Sequence, residues 1–302
     1  MIAILLLLLI LLLILLLLNC MNDNIDMEDY LKTHNYIIDI IKKTHSGSFN
    51  IVKFYTNQTN QIVLRESIEP ITDTDAFLNE VNFTLLMSNF NIAPFFILDG
   101  INKNHKGFIL TEAYDYTLFE LTHKTIFIHY KEPIKFQLDK LLDTMIYNAS
   151  LYNTDMKIEN IVVKFRKNSR IDLRMIDFDP YYCKQNFNEM YENNKIEIGK
   201  ENISIYQKAW KILCLIFIEE HLRCFTTVTL LKNDIEKQII KSNDEHILAM
   251  NYLYESDVLN SIREHYYQNY NLHALITKNV PSNEIISNKI QILLNNHSKI
   301  IK

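Results

Sequence analysis

Asp155-Met156-Lys157-Ile158-Glu159-Asn160 runs straight into the apolar stretch Ile161-Val162-Val163. A second such stretch ends at Ile176-Asp177-Phe178-Asp179. An acid, a lysine two positions on, an amide five positions on and a second acid after a hairpin suit phosphoryl transfer from a magnesium nucleotide. One carboxylate accepts or orients the proton of an attacking hydroxyl. The lysine neutralises charge that builds on the transferred group. The amide and the second carboxylate offer hard oxygens to Mg²⁺. This reading makes Asp155 and Lys157 the catalytic candidates, and Asn160 and Asp177 the metal-binding ones.

The flanking pattern supports such a placement. Leu138, Leu141, Leu142, Met145, Ile146 and Ala149 recur at helical spacing, which predicts an amphipathic helix over 136–152 just before the acid. Ile161 to Phe165 and Ile171 to Ile176 read as two strands joined by a polar turn. Further on, Ser204 to Glu220 is apolar nearly all round and carries Trp210, which predicts a helix buried at the centre of its domain.

Upstream, residues 25–43 read as a short helix leading into strands. Phe49 to Tyr55 and Gln61 to Glu66 form a β-hairpin pattern, and Asp75 to Ser88 a helix with Asp73 or Thr74 as its N-cap. Pro94 to Leu98 and Gly107 to Glu112 are two more strands. The first hundred or so residues thus read β-β-α-β-β. Lys+Arg number 31 against 36 Asp+Glu, so no basic field marks a nucleic-acid partner and none is expected. A hydrophobic share of 48% with 22% charged residues excludes a disordered chain. The cysteines Cys20, Cys183, Cys214 and Cys224 lack the spacing of a zinc site or a disulfide framework.

In this order the motifs resemble the protein-kinase family over roughly residues 40–220. Asp155, Lys157 and Asn160 match the catalytic loop, and Asp177 the metal-binding acid of the Asp-Phe-Gly motif. Gly47-Ser48-Phe49-Asn50-Ile51-Val52 resembles the middle of the glycine-rich phosphate loop. Arg65 falls where the strand lysine belongs, and Glu80 where its helix glutamate partner would sit. Thr111-Glu112-Ala113-Tyr114 resembles the gatekeeper and hinge. The resemblance therefore implies ATP and Mg²⁺ as cofactors, with Gly47, Ser48, Val52, Arg65, Glu80, Glu112, Asn160 and Asp177 on the nucleotide side. It implies an α+β, bilobal fold with a small β-rich lobe and a larger helical lobe. By the same analogy Lys157 points to Ser/Thr acceptors on a protein substrate.

Departures from the family pattern keep other readings open. Arginine stands in place of the strand lysine, and its planar fork does not reproduce a compact ammonium. Lys53 is the other nearby cation, but strand alternation should turn it away from Val52. Asp179 replaces the motif glycine, and Asn153-Thr154 replace the usual His-Arg. Asp-Phe-Asp also resembles kinase-like proteins of large cytoplasmic DNA viruses. The alternatives are a pseudokinase scaffold that binds nucleotide, and a small-molecule kinase of the choline or aminoglycoside type.

Met1 to Leu18 is an unbroken apolar run. At about 1.5 Å per residue it reaches roughly 27 Å, enough to cross a bilayer's hydrocarbon layer. The expected organisation is a membrane anchor over 1–20, a lead-in helix and small lobe over 21–112, and a large lobe over 113–302. The expected localisation is a single-pass membrane protein with its kinase-like domain on the cytosolic side, or cytoplasmic if the true start is Met21 or Met27.

Overall fold

The computed structural model describes residues 27–42, 44–46, 49–167, 170–185, 200–226 and 229–254. It is a mixed α/β chain that divides into two compact units. The first runs to Val81 and takes in Phe96–Ala113. The second comprises Asn82–Phe95 and the chain from Tyr114 onward.

In the first unit, helix α1 (Met27–Thr33) leads to the edge strand β1 (Ile37–Ile38). Strands β2 (His45–Ser46), β3 (Asn50–Thr56), β4 (Gln61–Ser67), β5 (Phe96–Ile101) and β6 (Gly107–Glu112) complete an antiparallel sheet ordered β1-β3-β4-β6-β5, with β2 on β3. The hairpin, helix and strands therefore follow the order expected from the sequence. Ile62, Leu64, Phe108 and Leu110 share one face of the sheet and pack with Leu31 of α1. Helix α2 (Thr74–Asn89) begins where Asp73 Oδ1 accepts the Ala76 amide at 2.9 Å, the N-cap that the sequence offered. Its start lies close over Gly107, where a Cβ would run into Ile71 and Phe77.

The second unit is built around helix α5 (Ile203–Phe225), with Trp210 fully buried on it. Strand β7 (Tyr116–Thr117) precedes the short helix α3 (Leu118–Thr122), which Thr117 and Glu120 close with a capping box. Helix α4 (Phe127–Asp143) passes into a π-turn, Thr144–Asn148. It starts nine residues before the predicted 136 and carries Pro133 inside it. The predicted strands form the hairpin β9 (Ile161–Arg166) and β10 (Arg170–Met175), and the residue pairs β8 (Tyr152–Asn153) and β11 (Cys183–Lys184) form a second small sheet. Helices α6 (Lys232–Ile240) and α7 (Asp244–Tyr254) follow α5. Cys183 and Cys214 are buried free thiols, and burial pushes both well above the usual thiol pKa.

The expected localisation needs correction. Among the described residues no helix is long and apolar enough to cross a membrane. Charges at Lys208, Lys211, Glu219 and Arg223 interrupt even the longest apolar helix, α5. Residues 1–18, which carried the expected anchor and its membrane contact, lie outside the described residues.

Candidate active site

The Asp155 loop sits between two local constraints. Upstream, β8 pairs with β11, bringing Asn153 opposite Cys183. The Thr154 amide and hydroxyl both donate to the Tyr182 carbonyl, at 3.0 and 3.2 Å. Downstream, the single 3₁₀ turn Ile158–Asn160 leads into β9. Asn153, fully buried, accepts the Asp155 amide on Oδ1 at 2.8 Å, which fixes the backbone from which the carboxylate projects.

Three candidate side chains meet directly. Lys157 Nζ donates to Asp155 Oδ2 at 2.7 Å. Asn160 Nδ2 donates to the same oxygen at 2.8 Å and to the Asp155 carbonyl at 3.2 Å. The spacing explains this arrangement: the Lys157 and Asn160 amides close short turns onto the Asp155 and Lys157 carbonyls, folding the three residues over one another. No described residue hydrogen-bonds Asp155 Oδ1 or Asn160 Oδ1.

Asp177 is brought to this group through the backbone. The Ile176 amide donates to the Asn160 carbonyl at 2.9 Å, and the Met175 amide to the Ile92 carbonyl at 2.7 Å. Asp177 itself takes φ of 67°, a left-handed conformation that costs an L residue roughly 1–2 kcal/mol. The bonds before it and the buried Phe178 after it hold that strain in place. Asp179, the residue in the glycine position, caps the following turn: its Oδ1 accepts the Tyr181 amide at 2.7 Å, and its carbonyl accepts the Tyr182 and Cys183 amides. After burial, the negative charges of Asp177, Asp179 and Asp155 raise the Cys183 thiol further.

The chemistry of this donor set fits magnesium. The Asn160 amide nitrogen is committed to Asp155, which leaves a carbonyl oxygen for a cation. Asp177 adds a carboxylate, and Mg²⁺ takes few protein oxygens alongside water and phosphate. Among the described residues, no group of three or more His, Cys, Asp or Glu is gathered as a metal cluster.

The remaining candidates lie in the first unit. Arg65 on β4 is paired with Val52 on β3 and donates to Glu80 Oε1 of α2. Directly opposed residues share a face, so Arg65 and Val52 lie together. Lys53, opposite Leu64, faces the other way and bonds Glu66 at 3.1 Å. Glu112 ends β6, paired with Ile62. Gly47 and Ser48 lie outside the described residues.

Two residues that sequence reasoning passed over adjoin the loop. His221 of α5, 3% exposed, accepts the Ile158 amide on Nδ1 at 3.4 Å. Glu159 Oε2 lies 3.2 Å from the same nitrogen but forms no hydrogen bond. Burial, helped by the Lys157 charge, lowers the His221 pKa to about 4, and burial raises that of Glu159. The signal for His221 was an imidazole directly after the largely apolar run 204–220.

No protein-family model matches the chain. No curated protein matches it either. Among solved structures, it is similar to the autoinhibited serine kinase domain of the giant muscle protein titin. That likeness is 12% identical, covers 78% of this chain and 83% of the other, and has a TM-score of 0.42.

Proposed function

We propose that the chain is a kinase-like phosphotransferase that uses ATP and Mg²⁺ to phosphorylate Ser or Thr hydroxyls on proteins. One observation carries the reading: Asp155, Lys157 and Asn160 are hydrogen-bonded into a single group, and Asp177 follows directly from a backbone bond to Asn160.

Asp155 Oδ2 is occupied by two donors, so Oδ1 is the oxygen that receives the acceptor hydroxyl and takes its proton. Lys157, held against Asp155, keeps a cation beside the attacking oxygen, where it neutralises charge that builds on the transferred phosphoryl group. Asn160 Oδ1 and an Asp177 carboxylate oxygen would hold Mg²⁺. Magnesium bound there would supply positive charge against the phosphate oxygens. Arg65 and Glu80 of the first unit stand as the candidates for steadying nucleotide phosphate charge, with Gly47, Ser48, Val52 and Glu112 completing the nucleotide-binding set.

The Arg65–Glu80 ion pair favours a second reading, a pseudokinase that binds nucleotide without turning it over. A guanidinium already bonded to Glu80 places its charge differently from an ammonium. The full chain incubated with Mg²⁺, γ-labelled ATP and generic acceptor proteins separates the two. Labelled Ser or Thr is expected, and both Asp155→Ala and Asp177→Asn should abolish it. Nucleotide binding without transfer would favour the pseudokinase, and equal incorporation by the two variants would overturn the catalytic assignment.

A further inference from the structure

The Asp155 loop is held to the central helix α5 by a polar contact that phosphoryl transfer does not itself require. His221 lies in the last turns of that helix, on its core side, where an imidazole is costly unless hydrogen-bonded. One edge of its ring packs at a steep angle against Phe225, centroids 5.2 Å apart, and Phe225 packs in turn on Phe119 of α3. The ring is thereby fixed with Nδ1 toward the loop.

What meets Nδ1 is the start of the 3₁₀ turn. The first amides of such a turn have no acceptor within it. In this loop Lys157 and Asn160 donate to carbonyls nearby, whereas the amide of the fully buried Ile158 donates to His221. Burial keeps His221 unprotonated, and the Ile158 amide pointing at Nδ1 selects the tautomer with its proton on Nε2, so Nδ1 offers a lone pair. Two residues on, the same turn carries Asn160, whose amide nitrogen reaches Asp155 Oδ2 at 2.8 Å.

We propose that His221 is a positioning residue of the transfer site. It pins the Ile158–Asn160 turn to α5 and so keeps Asn160 bonded to Asp155 and its Oδ1 turned to the metal side. The proposal rests on the phosphotransferase reading, and its test has one arm that does not depend on that reading. His221→Leu removes the acceptor at similar volume, and His221→Asn restores an oxygen close to the place of Nδ1. Both are made in the full chain. One arm measures kcat and KM for Mg-ATP. The other measures hydrogen exchange of the Ile158 amide by NMR without nucleotide.

His221→Leu should lower kcat about tenfold or more with KM for ATP within about twofold, the split expected when a reacting group is misplaced while nucleotide binding is kept. Its Ile158 amide should exchange at least about tenfold faster, and His221→Asn should recover most of both. Unchanged kcat and exchange in His221→Leu would overturn the proposal. So would an asparagine variant no better than the leucine one, which marks His221 as packing alone. If the wild-type chain transfers no phosphate, the phosphotransferase reading fails by itself, and the exchange arm decides whether His221 holds the turn. If His221→Leu does not fold, His221→Asn decides: a protected Ile158 amide supports the role and an unprotected one removes it.

Discussion

Arg65 occupies a strand position where a lysine would serve the resemblance better, and its surroundings say what a change should do. Val52 and Ile109 flank it across the sheet, and Glu80 accepts its hydrogen bond from α2. Lys53 is turned to the opposite face and bonded to Glu66, so it offers no second cation on the Arg65 side. If Arg65 steadies nucleotide phosphate, Arg65→Lys places a compact charge beside Glu80 and should raise kcat/KM for ATP. A gain of about tenfold corresponds to roughly 1.4 kcal/mol of transition-state stabilisation. Arg65→Ala should lower it and weaken nucleotide binding. Steady-state kinetics and nucleotide titration check both, and two silent variants would remove Arg65 from the nucleotide site. Part of the candidate site's geometry was legible at this scale. Asp155, Lys157 and Asn160 lie within one short turn, so their spacing alone implied that they meet. The capping role of Asp179 and the acceptor role of Asn153 were not legible, because each depends on backbone conformation rather than residue type.

Between elements, the decisive contacts join residues far apart in sequence. The β9–β10 hairpin could be read directly: Ile171, Leu173 and Met175 are buried while Asp172 and Arg174 are less so, the two-residue alternation of a strand with one covered face. Helix α5 could be read from its apolar circumference. What α5 does for its neighbours could not. Glu219 is 3% exposed, and its carboxylate accepts the Leu230 amide at 3.0 Å and the Leu231 amide at 2.7 Å. Those amides stand at the entrance to α6, where Leu231 at the cap position makes no side-chain cap bond. A glutamate from another helix thus acts as the missing N-cap, its charge favourable at a helix N-terminus. Burial raises its pKa, and the two amides hold the rise back. Glu219→Leu should cost about 3 kcal/mol, since two buried amides lose their acceptor while a buried charge is also removed. Glu219→Gln keeps an acceptor oxygen and should cost about 1 kcal/mol. Urea unfolding measures both, and a leucine variant as stable as wild type would show that solvent already satisfies those amides.

For the whole molecule, two units with separate cores allow acid to act on one of them selectively, and His221 indicates which. In the folded chain it holds a proton only below about 4, against the ordinary value of 6.5. Burial is the first cause and the Lys157 charge the second, with Asp155 opposing them. Between those two pH values the unfolded chain binds a proton that the folded chain refuses. Stability is therefore full above about pH 6.5 and falls as the pH drops toward 4. The loss is at most about 3 kcal/mol and about 2 once solvent screening is allowed for. Glu159 and Glu219, raised by burial, act with the opposite slope, losing stability as pH rises above the ordinary carboxylate value. Their backbone hydrogen bonds counter part of that shift, so the His221 contribution should dominate the window. Trp210, the single tryptophan, is fully buried in the second unit, and its fluorescence follows that unit alone. Urea unfolding monitored by Trp210 should show wild-type stability falling between pH 7 and pH 4.5. His221→Leu should show a much flatter dependence, so that the two proteins converge in stability as the pH falls. Parallel pH profiles for the two would place the acid-sensitive group elsewhere in the unit and return His221 to an ordinary packing role.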